Sequence, residues 1–206
     1  MLSFSQTELA LIKKLNTPAK VQDYLNSIPF NFEPNGGTLK SPLYTMRAQN
    51  AHCMEGALLG AFILSRHGFK PYLMLLKATE DDFDHVVVPF KIGGFWGALS
   101  KTNHAVLRYR EPVYKNIREL AMSYFHEYFL DSTAHMGEKT LRKYSELLDL
   151  NTFEDGWETL EGDLWGIDEE LDKIKHFDMV PKDYIKKLRK ADKVEIEAGK
   201  VVEFKK

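Results

Sequence analysis

Cysteine is nearly absent: Cys53 is the only one in 206 residues. No intrachain disulfide can form, so the chain fits a reducing compartment and is expected to be cytoplasmic. Any thiol chemistry falls on this one sulfur. Long hydrophobic runs are missing as well. The stretch Tyr72 to Leu76 is far too short to span a bilayer. The opening Met1-Leu2-Ser3-Phe4-Ser5-Gln6 lacks the basic region and apolar run of a secretory signal. Neither sign of charge dominates, with 28 Lys and Arg against 30 Asp and Glu and a formal net charge of −2. That balance gives no reason to expect nucleic acid or a membrane surface as a partner. Paired ligand spacings such as C-x-x-C or H-x-x-x-H do not occur, nor does the D-x-D/N-x-D/N-G pattern of a calcium loop. No metal and no cofactor are therefore expected. Internal repeats and low-complexity tracts are also lacking.

What the chain does have is a core. Its apolar fraction is 44%, with 13 Phe, 9 Tyr and 3 Trp, which excludes wholesale disorder. Ser5-x-x-Glu8 ahead of Leu9, Leu11, Ile12 and Leu15 predicts a capped helix. Thr17-Pro18 starts another, and Pro29, Pro34, Gly36-Gly37 and Pro42 predict a long loop from about 29 to 48. Cys53 to His67 reads as a helix whose small residues Gly56, Ala57, Gly60 and Ala61 allow close packing on a sheet. Pro71 to Lys77 is a continuous apolar strand of the kind buried on both faces. Glu80-Asp81-Asp82 makes a polar turn, His85 to Lys91 a second strand, Gly93-Gly94 a tight turn and Phe95 to Ser100 a third strand.

Helical periodicity returns after Pro112 and is expected again over 139–149 and after Pro181. Residues 144–172 hold no Lys or Arg and read as a solvated acidic face, with Trp157 and Trp165 as anchors. A final hairpin is expected from Val194-Glu195-Ile196 and Val201-Val202-Glu203-Phe204. This order predicts an α+β fold with an antiparallel sheet, a core of about 1–130 and a mostly helical appendage over 131–206.

The chemistry-bearing residues cluster around Gln49-Asn50-Ala51-His52-Cys53-Met54-Glu55-Gly56. Cys53 is expected at a helix start, where free backbone N–H groups and the helix dipole stabilise a thiolate. The same N–H groups suit an oxyanion, with Gln49 or Asn50 as a further donor. His85 heads a strand after an acidic turn and is the expected proton partner. Ser100 and Asn103, at the end of the next strand, are the candidates for orienting its ring. His52 and His104 are expected at the surface or in support.

A Cys at a helix start, a His at a strand head and a hairpin into a Trp-containing strand ending in a polar residue resemble the transglutaminase-like superfamily, with its papain-like core. The resemblance covers about residues 47 to 104. It implies Cys53 as nucleophile and His85 as general base. The family's usual third residue is Asp, where this chain has Ser100, with Asn103 three positions on. The implied function is thiol-dependent acyl transfer on a peptide, isopeptide or amide carbonyl of a peptide or protein substrate. Hydrolysis is the expected outcome, with transfer to an amine as the variant. The missing Asp leaves a second expectation open, a weakly active or inactive fold serving as a protein-binding module.

Overall fold

The computed structural model describes residues 3–131 and 134–205. Met1 and Leu2, from the opening read for a signal, lie outside the described residues, as do Ser132, Thr133 and Lys206 of the 131–206 segment. Capped helices begin the chain. In α1 (Gln6–Lys14) the Ser5 hydroxyl accepts from the Glu8 N–H at 3.2 Å, and the Glu8 carboxylate accepts from the Ser5 N–H at 2.6 Å. Thr17 caps α2 (Pro18–Ser27), with Pro18 at its first position. The long loop expected over 29–48 contains one further helix, α3 (Pro42–Ala48). Pro42 takes the first helical position as Pro18 does, but the Ser41 hydroxyl donates to the Leu160 carbonyl at 2.8 Å instead of capping the helix as Thr17 does.

Helix α4 (Cys53–Ser65) is buried from Met54 to Leu64. It lies against a seven-stranded sheet of β1 (Tyr72–Lys77), β2 (His85–Ile92), β3 (Phe95–Ser100), β4 (Arg110–Tyr114), β5 (Lys143–Ser145), β6 (Leu148–Asp149) and β7 (His176–Asp178). The order is β4-β3-β2-β1-β5-β7, with β6 pairing the start of β1, and every pairing is antiparallel. Side chains alternate between the two faces. Leu73, Leu75, Val86, Val88, Phe90 and Leu99 meet α4 and α2 in one core, while Met74, Leu76, Val87 and Ala98 meet Leu120, Ala121, Tyr124 and Tyr128 in another. Leu120 and Ala121 belong to α5 (Ile117–Met122). Small residues set the approach of α4. A methyl carbon on Gly56 would fall 2.4 Å from Lys101 Cβ, and one on Gly60 would fall 3.0 Å from Leu99 Cδ1.

The second half of the chain departs from its expected elements. Residues 139–149 are not a helix: they give β5 and β6, which pair along the edge of β1. An apolar central strand leaves backbone N–H and C=O groups that need partners, and this demand outweighs local helical spacing. After Pro181 there is only a single 3₁₀ turn, Ile185–Lys187, before α7 (Lys193–Gly199). The final hairpin is absent. Asp192 and Glu195 form a reciprocal capping box that winds Val194 and Ile196 into α7, and Val202 makes one antiparallel bridge to His104 instead. The 131–206 segment is thus less helical than expected, with α6 (Trp165–Lys173) and α7 as its α-helices, and its strands β5 and β7 extend the same sheet as β1 to β3. Among the described residues no helix is long and apolar enough to cross a membrane.

Candidate active site

Cys53 is the first residue of α4, and the residue before it is the cap. His52 Nδ1 accepts from the Met54 N–H at 3.3 Å, and the Glu55 carboxylate accepts from the His52 N–H at 3.2 Å. This is a capping box with histidine in the place usually taken by Ser or Thr. The far nitrogen of the same ring, Nε2, lies 2.7 Å from the Thr38 carbonyl oxygen. Glu55 is fully buried, yet each oxygen is used. Asn31 Nδ2 donates at 3.0 Å, Thr38 Oγ1 at 2.8 Å and the Lys40 N–H at 3.2 Å, and Lys40 Nζ pairs at 2.8 Å. Burial pushes its carboxyl up, but the His52 charge and the Lys40 and Asn31 bonds outweigh burial and hold it below its ordinary value.

The partner imidazole comes from the sheet. Asp84 accepts the Ala78 N–H at 2.8 Å and closes the acidic turn, which delivers His85 to the head of β2. Register places Ser100 opposite Val87, two residues after His85 and therefore on the same face. His85 Nε2 and Ser100 Oγ are 2.7 Å apart. The Ser100 hydroxyl donates in turn to the Leu107 carbonyl, so its oxygen accepts from an Nε2–H. That tautomer leaves Nδ1 with its lone pair available to the thiol. Gln22 of α2 fixes the Ser100 backbone from both sides, its Oε1 accepting from the Ser100 N–H at 2.9 Å and its Nε2 donating to the Ser100 carbonyl at 2.8 Å.

Cys53 remains partly exposed, and the His52 and His85 rings are near enough to act on its sulfur. Burial around its sulfur raises the thiol pKa, but the two imidazole bonds and their charges outweigh burial and bring it down to about 6. Burial lowers the pKa of His52, and here too the bond and charge of Cys53, followed by the Glu55 charge, reverse the direction and raise it. The arrangement can hold a thiolate–imidazolium pair at neutral pH, the reactive form of a cysteine nucleophile.

Of the sequence candidates, the structure brings Cys53, His85 and Ser100 together. Asn103 needs correcting as an orienting group. Its Nδ2 donates to the Phe204 carbonyl at 3.0 Å and its Oδ1 accepts from the Phe204 N–H at 2.9 Å, so its whole amide is spent on the C-terminal segment. Gln49 caps α3 in the left-handed region (φ 52°), and its amide donates back to Met46 and toward Tyr24. As an oxyanion donor it is already committed. Asn50 Oδ1 is buried without a partner. His104 sits at the surface with Nδ1 on the Gly199 carbonyl. Trp157 does anchor, its ring edge-on to Phe62 of α4, whereas Trp165 is largely exposed.

Sequence reasoning missed the roles of His52, Glu55 and Gln22. For the first two the signal was present: His52-x-x-Glu55 ahead of an apolar run has the spacing of a capping box. A cavity of about 630 Å³, lined by Phe153, Trp157, Leu160, Leu164 and Ile167 among others, does not include Cys53 or His85. It adjoins the site through Leu39, whose N–H donates to Asp163 at 2.7 Å beside the Thr38 that holds His52. Among the described residues no group of three or more His, Cys, Asp or Glu could hold a metal ion.

No family model and no curated protein matches this chain. Among solved structures it is similar to Legionella pneumophila LapG, with a TM-score of 0.36 and 20% identity over 45% of this chain and 59% of that one. Calcium-bound LapG from the same organism gives a TM-score of 0.37 over the same shares at the same identity, and EGTA-treated LapG gives 0.42 at 16% identity over 81% and 85%. In the first two alignments this chain spans 59% of the LapG chain. Values this low report a distant likeness of fold and nothing about chemistry.

Proposed function

We propose that this protein is a thiol-dependent acyl-transfer enzyme of the transglutaminase-like type, acting on a peptide, isopeptide or amide bond. The observation that carries the reading is the chain of contacts from Cys53 through His85 to Ser100, ending in the 2.7 Å bond between His85 Nε2 and Ser100 Oγ. All three residues fall within the 1–130 segment read as the catalytic core. The Cys53 thiolate attacks the carbonyl carbon, and the C=O electrons move onto oxygen near the positive end of the α4 dipole. His85, having taken the thiol proton, returns it to the leaving amine as the C–N bond breaks. The thioester is then resolved by water, or by an amine if transfer rather than hydrolysis is the outcome. The scarcity of cysteine supports a cytoplasmic setting for this chemistry.

The test is a fluorogenic peptide and isopeptide panel run with the wild type and Cys53→Ala. Turnover in the wild type and a loss of at least about a thousandfold in the variant is the expected result. Equal turnover by the two proteins rejects the reading.

The neutral Ser100 in place of a carboxylate favours a second reading, a binding module that keeps the fold without efficient catalysis. A hydroxyl stabilises an imidazolium less than a carboxylate does. The module reading expects peptide capture with no turnover by the wild type.

A further inference from the structure

The cavity of about 630 Å³ combines an apolar interior with an acidic mouth. Leu164 and Ile167 are buried in its wall and Trp157 is half-buried, whereas Glu154, Asp155 and Glu161 line it from exposed positions. Among the described residues none of these three carboxylates meets a Lys or Arg in an ion pair. Residues 144–172 hold no Lys, Arg or His to neutralise them. The cavity shares a wall with the candidate active site, because residues 38–41 are bonded on both sides. Toward the site, the Thr38 carbonyl lies 2.7 Å from His52 Nε2, and Lys40 Nζ pairs with Glu55 at 2.8 Å. Toward the cavity, the Leu39 N–H donates to Asp163 at 2.7 Å, the Leu39 carbonyl accepts from the Leu164 N–H at 2.9 Å, and the Ser41 hydroxyl donates to the Leu160 carbonyl at 2.8 Å. The one cation of this wall, Lys40, is thus already spent on Glu55. Negative charge continues beside Cys53, where Glu33 Oε1 lies 3.8 Å from His52 Nε2.

We propose that this cavity is a subsite that recognises the peptide substrate, taking apolar side chains inside and flanking Lys or Arg residues at its mouth. This rests on the reading of the protein as a thiol-dependent enzyme and names the class of peptide it selects. The volume falls within the roughly 300–1,000 Å³ of ordinary ligand sites. Burial of apolar side chains supplies the holding force. The unpaired carboxylates choose the sign of what flanks them and speed its approach. An acidic flank meets charges of its own sign with nothing to offset them, so the same groups reject it. Because residues 38–41 border both places, one extended peptide can fill the cavity and reach Cys53.

Binding is measured by fluorescence anisotropy on the whole chain carrying Cys53→Ala, so that no turnover intervenes. The labelled probes are the peptide Gly-Lys-Phe-Leu-Lys-Gly, a twin with Glu for both Lys, and a twin with Ser for Phe and Leu. At about 50 mM salt, where screening is weak, the first should bind at least about tenfold tighter than either twin. The double variant Glu154→Lys with Asp155→Lys changes exposed, unpaired side chains, and melting curves check its fold. It should weaken the basic peptide by about tenfold and tighten the acidic twin. Placed in the protein that keeps Cys53, the same pair should raise KM for a fluorogenic amide of the basic peptide and leave kcat in place. Equal affinity for all three peptides, an unmoved affinity in the double variant, or an unmoved KM each overturns the proposal. A preference for the basic peptide with no turnover of any peptide by the wild type is a failure of the catalytic reading, and the cavity keeps its ligand. Turnover that ignores the charge of the peptide leaves the Cys53 chemistry standing and removes the cavity from recognition.

Discussion

The two ends of the β2–β3 hairpin follow opposite rules. At the closed end Gly93 and Gly94 turn the chain at φ 59° and 90°, a left-handed pair that suits a two-residue turn. The flanking Ile92 and Phe95 are apolar yet 44% and 42% exposed. At the open end His85, Ser100, Lys101, Thr102 and Asn103 are polar yet buried. The tip stays tolerable because a lone exposed apolar pair is an ordinary surface feature. The open end is stable because its groups find partners. Ser100 is gripped by Gln22 and Leu107, Lys101 Nζ donates to the Leu25 and Ile28 carbonyls at 2.9 and 2.5 Å, and Asn103 is matched by Phe204. Buried polar groups are costly when unmatched and rigidifying when matched, so their concentration marks the end that positions the chemistry.

This contrast can be broken from its buried end outward. Lys101→Ala should have the largest effect on stability. It strips donors from the C-terminal carbonyls of α2 and leaves a void against Gly56, at a cost of about 2–4 kcal/mol. Urea unfolding measures it, and Lys101→Met, which keeps the volume, should lose less. Next comes Ser100→Ala, which leaves His85 Nε2 and the Leu107 carbonyl unmatched. It should lower stability by about 1–3 kcal/mol and slow any Cys53-dependent turnover by about a hundredfold through loss of ring orientation. A Ser100→Ala protein with wild-type turnover would separate the open end from the chemistry. The smallest effect is expected at the tip, where Phe95→Ser should change stability by no more than about 0.5 kcal/mol. A larger loss there would show that the exposed pair is covered by something in solution.

The sequence carried the first half of the fold because its signals there were strong and local. The unbroken apolar run Leu73 to Leu76 demands a strand covered on both faces, and Cys53 to Ser65 packs through small residues that have few other uses. That Cys53 opens a helix and His85 a strand was legible for the same reason, since each sits at an element boundary that its neighbours define. The choice between Ser100 and Asn103 was not. It depends on Phe204, 101 residues from Asn103, and on the loop carbonyl of Leu107. Residues 139–149 were misread because Leu141, Tyr144 and Leu148 keep helical spacing while the open edge of β1 decides their conformation. Val194, Ile196 and Val201 suggested strands by residue type, and the Asp192-x-x-Glu195 cap that turns the first two into α7 was overlooked.

The pairing of Asn103 with Phe204 has a consequence for the order in which the molecule comes into being. Glu203 also bonds the Asn103 carbonyl, and Val201 accepts from Ala105, so the stretch that carries Leu107 is strapped by residues translated about a hundred positions later. On the ribosome, α4 and the hairpin can form while that strap is still unmade. The stretch just past the hairpin's open end therefore gains its last hydrogen bonds only after Phe204 has left the ribosome.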